Sequence, residues 1–363
     1  MGNQAKVLTN LKWGRSPLSE DDKSGHFLAV GATGSGKTLI LRTLLQSALS
    51  EVGKGKGVHG LVYDAKLDMM PILSSFVDRR LIKNFNPFDE RGVAWKIHLD
   101  IDTPVKALQL TYNLVPERHS HSESFFENAV REHIWAVIVS FNLSGTEWTF
   151  ADLFRVLSNV RLLKRVIRRH PQTEFVYSMY LTEPKLSKDI IASIAACCAR
   201  YRQIAACWEH AKESISIREC IENEYVAILG NYEIARIAMQ RINCVLSNCY
   251  TDQVLFLPEY NGNTFWVVFD ELSEAGYMPH LIPFVKKSRS KGGVLLIAFQ
   301  ALPGLQSDRM YSQHGTDDLL GNISNRFIAR IEDTTSARWL SDYIGEQDAE
   351  QISRTHSFGK GGS

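Results

Sequence analysis

A chain of 363 residues with 41 Lys and Arg against 40 Asp and Glu carries a formal net charge of +1, which excludes the chain-wide basic field of a simple nucleic-acid coat. An apolar fraction of 44 % is ordinary for a globular protein, and the length suits two domains or one large α/β domain with an insertion. No eighteen-residue apolar run and no leader are read, so neither a membrane span nor a signal peptide is expected, and Cys197, Cys198, Cys207, Cys220, Cys244 and Cys249 lack a C-x-x-C pair and read as buried free thiols.

Residues 1–25 read as loop, with a short strand at 6–8 and a turn at Trp13-Gly14. An apolar strand at 26–30 then runs into Gly31-Ala32-Thr33-Gly34-Ser35-Gly36-Lys37-Thr38, and 39–46 follows as an amphipathic helix. The eight residues fit G-x-x-x-x-G-K-[ST] in the required strand–loop–helix context. Glycines let backbone N–H groups turn inward, and the helix presents its positive end to the same place, which suits the phosphates of a nucleotide. Lys37 is expected on the β- and γ-phosphates and the Thr38 hydroxyl on Mg²⁺.

A second apolar run, 60–64, ends in Asp64, and strand–helix–strand is the pattern of a parallel sheet covered by helices. The following Asp64-Ala65-Lys66-Leu67-Asp68 is either a ligand-handling loop at a strand's C-terminal end or a solvated charged turn. Residues 82–91 read as a loop near the nucleotide base, because Pro87 opposes a central strand and Asn86 and Asp89 favour turns.

From 103 to 250 the apolar residues recur at helical spacing, with turns at 143–146 and 170–172. A helix is expected over 124–139, and Thr149-x-x-Asp152 opens another that runs through 160. Arg161, Lys164, Arg165, Arg168, Arg169 and His170 form the densest basic cluster, read as a solvated face rather than a phosphate contact. The stretch is too long for a simple crossover and long enough for an inserted helical domain.

Strand pattern returns at 224–229, before a helix over 234–248. The run 265–269 delivers Asp270 and Glu271 to the tip of a buried strand. In an ATPase of the phosphate-loop type the first holds Mg²⁺ and the second polarises the attacking water. Residues 283–291 are the basic end of a helix closed by Gly292-Gly293, and on its own Arg289 is a cation at a helix C-terminus. The strand at 294–299 ends in Gln300, where a γ-phosphate sensor belongs. A last strand over 325–331, a helix over 335–344 stopped by Gly345 and a flexible tail at 357–363 complete the chain.

Taken in order, these stretches resemble the coupling proteins of bacterial conjugation and type IV secretion, the TraD/TrwB-like members of the FtsK/HerA-like DNA pumps. The resemblance spans about residues 24–348 and rests on a series. His26 before the phosphate loop, Val62-Tyr63-Asp64-Ala65-Lys66, Asn86-Pro87-Phe88-Asp89-Glu90-Arg91 and Ser124-Phe125-Phe126-Glu127-Asn128-Ala129-Val130-Arg131 come first. Ser214-Ile215-Ser216-Ile217-Arg218, Asp270-Glu271-Leu272, Ser288-Arg289-Ser290-Lys291-Gly292 and Gln300 complete it.

The resemblance implies a RecA-like α/β motor domain (1–102 and 214–363) with an all-α domain inserted at 103–213, assembled as a homo-hexameric ring. It implies ATP and Mg²⁺ as cofactors and DNA as partner, with a relaxase or secretion-channel proteins as further partners. Lys37 and Thr38 would hold phosphate and Mg²⁺, Asp270 the metal, and Glu271 the catalytic acid's place. Arg289 would reach the neighbouring subunit's nucleotide, and Gln300 would couple γ-phosphate to the DNA-contacting parts. The expected function is an ATP-driven DNA translocase. Alternatives are a soluble ATP-switched recruitment platform or the motor subunit of an anti-phage complex with a partner nuclease. Most family members carry N-terminal membrane-spanning helices, which this sequence is not expected to have, so a cytoplasmic place is expected, peripheral to the inner membrane at most through partners.

Overall fold

The structure, a computed structural model, describes residues 11–14, 16–19, 23–116, 124–259, 261–307 and 310–345. The expected strand at 6–8 and tail at 357–363 lie outside these residues. The centre is a seven-stranded sheet of β1 (Phe27–Val30), β2 (Val58–Asp64), β3 (Ile82–Asn84), β4 (Val226–Gly230), β5 (Thr264–Phe269), β6 (Gly293–Phe299) and β7 (Asn325–Ile328). Their spatial order is β7-β1-β6-β5-β2-β4-β3, and every pairing is parallel.

The strands read as unbroken apolar runs because helices cover both faces, so alternate residues must both be apolar. On one face Phe27, Ala29, Val62, Trp266, Val268 and Leu296 meet Leu41, Leu44, Leu45, Ala48 and Leu49 of α1 (Lys37–Leu49). On the other, Leu28, Val30, Leu61, Tyr63, Phe269 and Ile297 share one continuous core with the helices between β3 and β4.

The longer of those helices are α2 (Pro104–Leu114), α3 (Ser124–Leu143), α4 (Phe150–Leu157), α5 (Val160–Ile167), α6 (Pro171–Tyr180) and α7 (Pro184–Glu209). Local sequence sets their ends. Thr103 caps α2 through the Lys106 N–H, with Pro104 in the first turn. Thr149 and Asp152 form the expected reciprocal capping box at α4. That helix stops at Leu157 rather than running through 160, because Asn159 caps α5 with its side chain on the N–H groups of Arg161 and Leu162. Beyond β4 comes α8 (Arg236–Phe256), eight residues longer at its C-terminal end than expected.

The chain enters and leaves this helical stretch side by side. Ala94–Trp95 pairs in parallel with Ser214–Ile215, and buried Asp100 ties the same point. Its carboxylate accepts from Trp95 Nε1 at 2.6 Å, Ile217 N at 2.7 Å, Arg218 N at 3.0 Å and Gln253 Nε2 at 3.2 Å.

One expectation needs correction. Residues 82–84 form an edge strand, not a loop; Pro87 lies three residues beyond it, where its missing N–H disturbs no ladder. Among the described residues α7 is the one helix long and apolar enough to cross a membrane by length and composition. Its alanine and cysteine content raises its mean hydropathy, while Ile190, Ile194, Cys198, Tyr201 and Trp208 are buried against other helices. All six cysteines are free; Cys207 and Cys249 are half-buried rather than buried.

Candidate nucleotide site

A cleft lies at the C-terminal edge of the sheet, lined by Ala32, Thr33, Gly34, Gly36, Lys37 and Thr38 from the loop after β1. Lys66 and Asp68 after β2, Asp270 and Glu271 after β5, and Gln300 after β6 complete its wall. The sequence-predicted site residues therefore converge, with Arg289 the exception. The loop's shape depends on Gly31, where an added Cβ would stand 2.7 Å from the Ala329 side chain and 2.8 Å from Ser35 Oγ. Gly36, at φ 96°, turns the chain into α1 from the left-handed region that favours glycine.

The polar groups form one connected set. Lys37 Nζ donates to the carbonyls of Gly31 and Ala32. Thr33 Oγ1 donates to Gln300 Oε1 at 2.9 Å, and Gln300 Nε2 donates to Glu271 Oε2 at 3.1 Å. Glu271 Oε1 accepts from Ser273 Oγ at 2.6 Å. Strand order explains the middle link: β6 runs between β1 and β5, so its terminal Gln300 stands between the phosphate loop and Glu271.

Asp64, Asp68 and Asp270 each bring a carboxylate oxygen within 4.8 Å of the others. Burial pushes Asp270 up to about 7 against the N–H of Ala65, and the charges of Asp64, Asp68 and Glu271 push the same way. Burial likewise pushes Asp64 up to about 6, opposed by the N–H groups of Met69 and Asp68. Lys37 is lowered, first by burial and then by Lys66, while Glu271 opposes both. The crowding of like charge is what a divalent cation would relieve, and oxygen-only donors suit Mg²⁺. Ser35 Oγ and Asp68 Oδ1 are buried without a hydrogen-bond partner among the described residues. Unmatched polar atoms, an inward-turned glycine loop and an acidic trio thus fit a Mg²⁺–nucleotide.

Lys66 and Asp68 line the cleft, which favours the ligand-handling reading of the charged segment after β2 over the solvated turn. Two features were not singled out from the sequence. Arg330, after β7, accepts the Ala32 N–H at 2.8 Å and donates from Nη2 to Thr33 O at 3.3 Å, bracing the loop from the sheet's edge. Ser273, which holds Glu271, carries no pattern that marks it.

Arg289 lies elsewhere. It opens a 3₁₀ turn (Arg289–Lys291) just before β6, with Nη2 donating to Ser24 Oγ at 2.9 Å. The seven residues of β6 separate it from the cleft, roughly 20 Å at the usual rise of a parallel strand. The basic cluster in the helical stretch is largely exposed, with Arg168 over the Tyr177 ring at 4.7 Å, as a solvated face would be.

A parallel sheet with this glycine loop at one strand tip and Asp270-Glu271 at another, one strand apart, defines a RecA-like P-loop NTPase fold. The family of type IV secretion-system coupling protein DNA-binding domains matches residues 10–363, and the chain belongs to it. Among solved structures it is similar to the plasmid coupling protein TrwB in complex with the GTP analogue GDPNP. That match has 20 % identity and a TM-score of 0.67 over 88 % of this chain and 73 % of that one. TrwB with ADP and Mg²⁺ gives 19 %, 0.68, 90 % and 74 %, and VirB4 of Thermoanaerobacter pseudethanolicus gives 12 %, 0.53, 91 % and 84 %. At these identities the likeness is one of fold. No curated protein matches the chain.

Proposed function

We propose that this chain is an ATP-hydrolysing DNA motor of conjugative or type IV secretion-type transfer, working as a ring of identical subunits. The observation that carries the reading is the split of the catalytic set. Lys37, Thr38, Asp270, Glu271 and Gln300 meet at one edge of the sheet, while Arg289 stands at the other. A single chain thus holds every part of a phosphoryl-transfer site except the arginine, and a head-to-tail neighbour can supply it. Membership of the coupling family supports DNA as the partner, and the TrwB complexes support a nucleotide with Mg²⁺ as the ligand. The side-by-side entry and exit at 94–95 and 214–215 support the division into a motor domain (1–102 and 214–363) and an inserted domain (103–213).

Each residue then has a role its chemistry suits. Loop N–H groups and Lys37 bind the phosphates, and Thr38 with Asp270, beside Asp64 and Asp68, would hold the metal. When bound, Mg²⁺–ATP supplies the electrophilic phosphorus and part of the charge neutralisation. Glu271 orients the attacking water and accepts its proton, and Gln300 connects that carboxylate to the phosphate loop. The neighbour's Arg289 stabilises charge building on the transferred group, a contribution of about 10³–10⁵ in rate where such an arginine acts. A net charge of +1 does not oppose DNA binding, because a few lumen-facing cations per subunit are multiplied around a ring.

The test is the ATPase rate as a function of protein concentration, with and without single- and double-stranded DNA. A rate per subunit that climbs with concentration and with DNA supports the motor. Slow turnover indifferent to both would instead describe a recruitment platform.

A further inference from the structure

Thr33 belongs to the phosphate loop, yet its hydroxyl is hydrogen-bonded within the protein, to Gln300 of the neighbouring strand's end. It carries a single proton, and that proton is directed at Gln300 Oε1. The amide that receives it is fixed by chemistry. A carboxylate only accepts, so Gln300 must turn its NH₂ to Glu271 and its carbonyl to a donor, and Thr33 is that donor. Ser273 Oγ holds the other carboxylate oxygen. Both oxygens of Glu271 are therefore set, one by its own segment and one by a relay that begins in the phosphate loop.

We propose that Thr33 is a positioning residue for the hydrolysis step, acting on Glu271 through Gln300, and that it serves the nucleotide through its backbone rather than its hydroxyl. The proposal rests on Glu271 as the group that activates water. Arg330 belongs to the same device, since its bond to the Thr33 carbonyl holds the residue from which the relay starts. Fixing the base in one orientation is worth rate and not affinity, because every hydrogen bond of the relay is between protein groups.

The experiment compares Thr33→Val, Thr33→Ser, Gln300→Leu, the double variant T33V/Q300L and Glu271→Gln in the full chain. Steady-state ATPase is read alongside direct binding of a fluorescent ATP analogue. T33V is expected to lower kcat by about tenfold, less than the ~100- to 10,000-fold expected on losing the base itself. Its KM and analogue affinity should stay within about twofold, T33S should keep most of the rate, and T33V should cost nothing further in the Q300L background. Weakened nucleotide binding with kcat kept would make the hydroxyl a phosphate ligand. Additive losses in the double variant would make Thr33 independent of Gln300. Either outcome overturns the relay while E271Q remains inactive, whereas an E271Q that turns over at the parental rate removes the functional reading itself.

Discussion

Lys37 and Glu271 divide binding from chemistry, and each predicts its own defect. Lys37 is the loop's cation, half-buried beside Glu271 and Lys66. Replacing it by alanine removes the ammonium that would neutralise the phosphates, and binding of a fluorescent ATP analogue should be lost. Unchanged binding would remove Lys37 from the site. Glu271→Gln keeps the shape and an acceptor oxygen for Ser273 but loses the base. It should bind ATP at wild-type affinity and lower kcat by about 10²–10⁴-fold, and single-turnover chemistry at the parental rate would contradict the assignment. These two residues were legible in the sequence because both sit in contiguous motifs whose chemistry is local. Arg330 and Ser273 were not, since each matters only through a partner brought close by folding: Thr33 for one and the Glu271 carboxylate for the other.

At the scale of elements, apolar runs and caps marked β1, β2, β5, β6 and the start of α4 to within a residue or two. The strand order was hidden, because parallel neighbours far apart in sequence leave no local signal, and with it went the reason Gln300 stands between Thr33 and Glu271. Edge strand β3 was missed because only three residues pair, next to a proline loop. The junction between sheet and helical stretch depends on Asp100. Asp100→Ala would leave four donors without an acceptor, one of them the indole N–H of Trp95. A loss of about 2–4 kcal/mol is expected by denaturant unfolding; a loss below about 0.5 kcal/mol would show that the carboxylate does not hold the junction.

The contact of α8 with the helix at Leu281–Lys287 gives a pH prediction. His280 immediately precedes that helix and is buried, with Nε2 2.7 Å from Ser247 Oγ of α8. Burial lowers it from 6.5 to about 3. The unfolded chain thus takes up a proton that the fold refuses, so the neutral ring's contribution is whole above pH 6.5 and is lost as pH falls toward 3. His280→Gln does not titrate, so the stability gap between wild type and variant should narrow by about 2 kcal/mol between pH 7 and pH 5. A gap that stays constant would mean the ring is protonated in the fold as readily as out of it.

The whole molecule is asymmetric along the strand direction. One edge of the sheet gathers Asp64, Asp68, Asp270 and Glu271 around the phosphate loop, and the other carries Arg289 with Lys287 and Lys291 close by in the chain. Head-to-tail contacts between such unlike edges close into rings when the rotation allows. In the proposed ring, hydrolysis would belong to the seam between subunits, so that occupancy of one site could be felt by the next.

The most direct test mixes two inactive variants. Lys37→Ala subunits lack the pocket's cation but keep Arg289, and Arg289→Ala subunits keep the pocket but lack the arginine. Each alone should hydrolyse almost no ATP. Combined in equal amounts, they form seams in which an intact pocket faces an intact arginine, roughly a quarter of all seams in a random ring, and ATPase activity should reappear in that proportion. A mixture as inactive as its two components would contradict the shared site and return Arg289 to a role within its own chain.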